Sequence, residues 1–363
     1  MAKFFIVALT VMLAMQGYVT WHVWRVLPFS TPVKVIIILL MLAALACMVL
    51  QFKSDSLPLG VATAFYEIGN SWMVIMFYLL MAFLVLDIGR LIHLFPTSWL
   101  KSNSITTMVM AGAMLITLIG GNIHYHNKAR RDIQLTTDKH LERPLKIVMV
   151  SDLHAGFHNR RAEVGRWIDI INAENADLIL IAGDIIDNNL RPLLAQGTVQ
   201  EFQRLNAPTI ACPGNHEYIT GINRALDFIG QTGITLLRDS VAVIDGVTII
   251  GREDRSNRRR MDIGQLMQNV TRDNYIILLD HQPYHLEEAE ENGVDLQLSG
   301  HTHQGQIWPL NWMTTKMYEC DYGQYRRGNT DYYISSGLGL WGGKFRIGTS
   351  SEYAVITVTP TGH

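Results

Sequence analysis

Seven side chains in this sequence are of the types that hold borderline divalent metals: Asp152, His154, Asp184, Asn215, His281, His301 and His303. Imidazole, carboxylate and carboxamide donors together suit Mn, Fe, Zn or Co better than Mg, which prefers oxygen alone. A set of this size exceeds what one ion takes. Two ions about 3.5 to 4 Å apart, bridged by a carboxylate, would use it and clamp the oxygens of an in-line phosphoryl displacement. Their charge would lower the pKa of a bound water and supply hydroxide near neutrality. The donors therefore point to hydrolysis of a phosphate ester or anhydride.

The elements that must position these residues are legible around them. Apolar runs at Leu145–Val150, Leu178–Ala182 and Thr209–Cys212 lead directly into Ser151-Asp152-Leu153-His154, Gly183-Asp184-Ile185-Ile186-Asp187 and Gly214-Asn215-His216-Glu217. The pattern repeats in the second half. Val247–Ile250 comes first, Tyr275–Leu279 leads into Asp280-His281, and Leu296–Leu298 leads into Ser299-Gly300-His301-Thr302-His303. Tyr332–Ile334 and Tyr353–Val358 predict closing strands, and Val164, Trp167, Ile168 and Ile171 predict a helix over residues 161–172. Strands alternating with helices indicate an α/β sandwich. Metal-capable side chains at the carboxyl ends of strands lie where open α/β sheets place their ligands. Taken singly each element is weak, because His-x-His and Gly-Asp pairs are common turn chemistry. Their ordered recurrence, each time closing a strand, is a far more specific signal.

In that order the motifs resemble those of the calcineurin-like metallophosphoesterases: D-x-H, G-D-x-x-D, G-N-H-E, a lone His and G-H-x-H. The likeness extends from about Lys146 to Val358. It is closest to the membrane-associated bacterial branch typified by the YkuE-like phosphoesterases, whose closing motif is similar to Gly337-Leu338-Gly339 through Arg346-Ile347-Gly348. One departure is Gln304-Gly305-Gln306 where the family has Gly-Gly-Gln after the last histidine pair. The resemblance implies that Asp152, His154, Asp184 and His303 hold one metal and Asp184, Asn215, His281 and His301 the other, with Asp184 as the bridge. It also implies that His216 is a catalytic histidine beside the scissile phosphate, able to protonate the leaving oxygen. Asp187 and Glu217 would orient ligands.

Composition adds a membrane. The chain is 48% hydrophobic and 17% charged, more apolar than ordinary soluble enzymes, and the excess lies in the first third. Runs at Phe4–Val23, Val35–Gln51, Trp72–Ile92 and Ile105–Ile123 each approach the ~20 residues of a bilayer-spanning helix. The expected organisation is a four-helix transmembrane region over residues 1–126, a polar tether over 127–145, and an α/β metallophosphoesterase β-sandwich flanked by helices over 146–363. That describes a multi-pass integral protein of a bacterial inner membrane. Lys3, Lys53, Lys128, Arg130 and Arg131 oppose Arg25, Lys34, Arg90 and Lys101 across it, a split too even to fix the side of the catalytic domain. Asp87, Arg90 and His93 read as an interfacial group reaching toward headgroups.

Cys47, Cys212 and Cys320 have no metal or redox spacing, and a net charge of -2 gives no general attraction to nucleic acid. Arg255, Arg258, Arg259 and Arg260 form a basic stretch without interleaved aromatics, suited to an anionic headgroup or to solvent rather than to nucleic acid. The resulting expectation is a membrane-anchored hydrolase of a phosphomonoester, phosphodiester or pyrophosphate, plausibly lipid-linked. The alternatives are a phosphodiesterase or nuclease acting on soluble nucleotides and a metal-binding membrane module without turnover. Oligomeric state stays open.

Overall fold

The computed structural model describes residues 2–361, so His363 lies outside the described residues. The chain forms two compact units, residues 1–122 with 342–344, and residues 123–341 with 345–363.

The first unit is helical: α1 (Ala2–Val26), α2 (Thr31–Leu50), α3 (Leu59–Leu91) and most of α4 (Ser104–His126). Among the described residues, three helices are long and apolar enough to cross a membrane: Thr31–Ser56, Leu59–Leu91 and Ser104–His126. Pro58 caps α3, which runs well ahead of the expected Trp72 start, because Leu59 to Asn70 carries one charge and no proline. Buried Val19, Met41, Leu45, Trp72, Met76 and Phe83 pack α1, α2 and α3 together. Polar ties add direction to that packing. Trp72 Nε1 donates to Gln16 Oε1 (2.9 Å), and Asp87 Oδ2 accepts from the Tyr18 hydroxyl (2.7 Å) and lies 2.9 Å from His22 Nε2. Asp87 is thus an interhelical clamp as well as the partner of Arg90, at 3.8 Å, a role the interfacial reading of Asp87 and Arg90 did not contain.

The second unit holds two six-stranded sheets. In chain order the strands are β1 (Lys128–Thr137), β2 (Leu145–Val150), β3 (Leu178–Ala182), β4 (Thr209–Cys212), β5 (Thr235–Leu236), β6 (Ser240–Ile244), β7 (Val247–Gly251), β8 (Tyr275–Leu279), β9 (Leu296–Ser299), β10 (Gly323–Arg327), β11 (Thr330–Ile334) and β12 (Ser351–Pro360). One sheet runs β1-β12-β2-β3-β4-β5 and the other β10-β11-β9-β8-β7-β6. Strands β2 to β5 are mutually parallel, as are β7, β8, β9 and β11. Met149, Leu180 and Ile210 of the first sheet meet Ile249, Ile277 and Leu298 of the second in a dry core. On the outer face of the first sheet, α5 (Arg161–Ala173) buries Val164, Trp167, Ile168 and Ile171, its helically spaced stripe. Each such side chain contributes roughly 1.5–3 kcal/mol of transfer free energy.

The expected tether is a correction. Residues 128–137 are not a linker but the edge strand β1, paired in parallel with β12 over its whole length from Lys128↔Ser351 to Thr137↔Pro360. Its alternation of charged and apolar residues, with Ile133 and Leu135 buried and Arg130 and Asp132 turned outward, is a half-buried strand pattern that its polarity disguises as a loop. Glu174 fastens it: the carboxylate accepts from Arg130 Nε (2.7 Å) on β1 and from the Tyr353 hydroxyl (3.0 Å) on β12.

The Arg130 hydrogen bonds hold the Glu174 carboxyl below its ordinary range. A depressed carboxyl stabilises the fold above its unfolded value of about 4.5 and loses that contribution as pH falls through the folded value. Glu174→Gln is therefore expected to unfold at a temperature that varies less with pH below about 4.5 than that of the parent protein, as read by thermal melts across an acid pH series.

Candidate metal centre

The ligand-bearing turns start where the central parallel strands stop. Asp152 and His154 follow β2, Asp184 follows β3, Asn215 follows β4, His281 follows β8, and His301 and His303 follow β9. The first three turns come from one sheet and the last two from the other, so the site lies across the seam of the sandwich. To aim side chains back into that seam, the backbone turns sharply. Asp152, His154, Asp184, His301 and His303 all adopt positive φ, between 44° and 69°. That left-handed region costs a non-glycine residue roughly 1–2 kcal/mol, and such strain concentrates at functional sites. The motif glycines have a separate task. A Cβ on Gly214 would stand 2.1 Å from Asp184 Oδ1 and one on Gly300 2.3 Å from Asp152 Oδ2, so each glycine lets a carboxylate pass against bare backbone.

All seven expected ligands belong to one constellation. His154 Nε2 and His303 Nε2 face each other at 3.0 Å, and Asp152 Oδ1 lies 3.7 and 3.4 Å from them. Asp184 Oδ2 lies 3.1 Å from His281 Nε2 and 3.7 Å from His154 Nε2. Asn215 Oδ1 stands 3.2 Å from His281 Nε2, and the His301 ring packs edge-on to His281 at 5.2 Å. Asp152/His154/His303 and Asp184/His281/His301 each bring one donor atom per residue within 4.8 Å of one another, as do His154/Asp184/His216.

The surroundings fix which atoms point inward. His281 Nδ1 donates to the Ala182 carbonyl (2.7 Å), leaving Nε2 with its lone pair toward Asp184 and Asn215. Glu217 accepts from the backbone N–H groups of Asp184 (3.1 Å), Ile186 (3.0 Å) and Gly214 (2.7 Å), locking the two turns together. His216 donates its backbone N–H to Asp184 Oδ1 (2.8 Å), while its Nδ1 lies 2.8 Å from the Asp187 carbonyl.

The electrostatics call for positive charge. Burial works against ionising His154, but the carboxylates of Asp152, Asp187 and Asp184 outweigh it and raise its pKa to about 10. His281 is likewise raised against burial, chiefly by Asp184. Burial and then the His281 charge press His301 down to about 4. The carboxylates thus favour positive charge at His154 and His281, where cations are wanted. Inward-facing nitrogen and oxygen donors in a buried, net-anionic cluster fit a pair of divalent metals.

Chain similarity agrees with this geometry. Residues 145–305 match the calcineurin-like phosphoesterase family. An uncharacterized metallophosphoesterase of Helicobacter pylori is 32% identical over 245 residues, 65% of this chain and 66% of that one, so the chain spans about two thirds of that relative. The uncharacterized metallophosphoesterase YkuE of Bacillus subtilis is 31% identical over 229 residues, covering 60% of this chain and 79% of YkuE. The chain belongs to the calcineurin-like phosphoesterases. A transmembrane protein with metallophosphoesterase domain from Danio rerio is 26% identical over 355 residues, 89% of this chain and 80% of its own length.

Other residues fall outside the cluster or were not foreseen. The basic stretch does not act as a block: Arg260 turns in to Asp280 (3.2 Å), and the Arg255 guanidinium sits 4.5 Å over the Tyr284 ring, leaving Arg258 and Arg259 as the free-standing exposed pair. His22, His126 and His285, which lack motif partners, pair instead with Asp87, Glu163 and Glu287. Buried Asp254, whose Oδ2 accepts from Gln282 Nε2 (2.8 Å), was missed. The signal for it was available, since like the ligands it closes a parallel strand, β7.

Because Asp184 Oδ2 lies 3.7 Å from His154 Nε2 of one trio and 3.1 Å from His281 Nε2 of the other, Asp184→Asn is expected to lower metal content at both and to abolish turnover. Metal analysis of the purified variant beside the parent protein checks this, and two retained ions with full activity would refute a shared carboxylate.

Proposed function

We propose that this protein is a membrane-anchored, dinuclear metal-dependent phosphoesterase that hydrolyses a phosphomonoester, phosphodiester or pyrophosphate bond of an amphiphilic, phosphate-bearing substrate. The observation that carries the reading is the placement of Asp184 Oδ2 between His154 Nε2 and His281 Nε2, the arrangement a shared bridging ligand requires. Asp152, His154 and His303 would complete one site, and Asn215, His281 and His301 the other. When bound, a pair of Mn, Fe, Zn or Co ions supplies Lewis acidity to the phosphoryl oxygens and acidifies a water for in-line attack.

The protein's own part in the reaction falls to His216. Its Nδ1 hydrogen bond to the Asp187 carbonyl leaves Nε2 as the nitrogen free to carry a second proton. Burial opposes the charged ring, but Asp184 and Asp187 outweigh it and lift the pKa above the ordinary histidine value, a shift in the direction that a proton donor to a leaving oxygen requires. Asp187 orients both His154, 3.6 Å from its Oδ1, and His216.

Membrane anchoring is supported by the three apolar helices and by the name of the Danio rerio relative. In this reading α1, 25 residues long, is the fourth span. An amphiphilic substrate is supported by the surface that follows the last ligand pair. Trp308, Trp312, Met313 and Met317 are all exposed within ten residues, on and beside the short helix Asn311–Met317, and the two tryptophan rings pack edge-on at 5.5 Å. Exposed apolar clusters of this kind mark docking surfaces, and tryptophan favours the bilayer interface. Arg258 and Arg259 would attract anionic headgroups, at about 1 kcal/mol each near the surface.

His216→Ala is expected to keep both ions and the fold while lowering turnover by about 10² to 10⁴, as measured by metal analysis alongside steady-state rates with Mn. Loss of an ion would make His216 a ligand. For the substrate, the full-length protein in lipid nanodiscs should release phosphate or headgroup from membrane phospholipids faster than it cleaves soluble nucleotides. A preference for nucleotides or single-stranded DNA would refute the amphiphile reading and leave the metal chemistry standing.

A further inference from the structure

Arg346 is among the largest fully buried side chains in the molecule, at 1% exposure, yet its partners are backbone oxygens and a hydroxyl. Nη1 donates to the His303 carbonyl (2.8 Å), Nη2 to the carbonyls of Ser336 and Gly339 (the latter at 3.2 Å), and Nε to Ser351 Oγ (3.1 Å). Nη2 also lies 3.5 Å from His303 Nδ1.

These acceptors lie on three separate segments: the ligand turn after β9, the loop after β11, and the first residue of β12. Strands β9 and β11 belong to the second sheet and β12 to the first. The loop after β11 rests in turn on Asp152, since Leu338 N–H donates to the Ser151 carbonyl and Gly339 N–H to the Asp152 carbonyl, both at 3.0 Å. No side chain fits between them, because a Cβ on Gly337 would lie 2.9 Å from Asp152 Cβ and one on Gly339 2.2 Å from the Leu153 carbonyl oxygen. One guanidinium therefore ties the His303 turn of one sheet to the Asp152 turn of the other. An apolar side chain of the same size would take the guanidinium donors away from the buried Ser336 and Gly339 carbonyls, whereas the His303 carbonyl would keep the Gln306 N–H (2.9 Å). A lysine ammonium cannot reproduce the planar fork. The other trio meets this network only at its edge, where the His301 N–H donates to both Asp152 oxygens (3.1 Å), while His281 is oriented separately by the Ala182 carbonyl.

We propose that Arg346 is a positioning residue that sets the separation of Asp152 and His303 across the sheet seam, and thereby the affinity of the Asp152/His154/His303 trio for its ion. The inference rests on the two-ion reading of the site. It makes the two ions unequal in their dependence on Arg346.

The test is titration of the metal-free full-length protein with Mn, following binding by calorimetry and the coupled two-ion signal by electron paramagnetic resonance. The parent protein should bind two ions. Arg346→Lys should keep one ion at parent affinity, bind the second about 10- to 100-fold more weakly, the usual effect of losing a ligand-orienting partner, and show an isolated-Mn spectrum at intermediate metal. Ser351→Ala, which removes a single tie, should weaken the second ion by about 2- to 10-fold. Unchanged affinity for both ions in either variant, or equal weakening of both ions, overturns the assignment. If Arg346→Lys fails to fold, the Ser351→Ala result decides alone. A single ion in the parent protein would instead refute the two-ion reading itself.

Discussion

The structure depends on a concentration of negative charge on buried side chains. Asp152, Asp184 and Asp187 are essentially inaccessible, and carboxylates in such surroundings ionise only if positive charge is close at hand. Within the site that charge is carried by imidazoles whose proton affinity the carboxylates raise, as at His154 and His281. Divalent ions meet the same need with more charge and a fixed coordination shell. The rest of the catalytic unit can be read as the scaffold that makes this arrangement tolerable.

The scaffold works by opposing a rigid interior to a strained rim. Two sheets share an aliphatic core from Ile147 to Leu298 that leaves the strand ends little freedom. Their turns then bend through left-handed conformations at five ligand positions. Strain of this size persists only where neighbours over-determine the geometry. Here they do: Glu217 pins the Asp184 and Gly214 turns, Ala182 orients His281, and the His301 N–H donates to both Asp152 oxygens at 3.1 Å. Preorganised ligands of this kind do not have to be gathered at the moment of metal binding.

The helical unit applies a related rule in apolar surroundings. Leu, Ile and Val side chains specify little about which helix faces which, whereas the Gln16–Trp72 and Tyr18–His22–Asp87 contacts each require one register of α1 on α3. A polar group there would be costly without its partner, so the pairings act as address labels between helices.

The sequence by itself determined the chemistry and most of the frame. Eight strands, the helix over residues 161–172 and all seven metal-capable side chains of the cluster were readable, because period-two and period-3.6 patterning and the Asp, Asn and His residues at strand ends are local signals. The apolar runs of the first third were equally local. What only the tertiary structure decided involves partners distant in the chain. Strand β1 looked like a polar tether because an edge strand exposes one face, and only its pairing with β12, over two hundred residues later, reveals it. Arg260 looked free for a ligand until Asp280 claimed it. Arg346, read from the sequence only as part of a closing motif, became the pin between turns of the cluster because its acceptors come from His303, Ser336, Gly339 and Ser351. Hydrogen bonds and ion pairs between segments far apart in the chain leave no period in the sequence, so the fold alone assigns them.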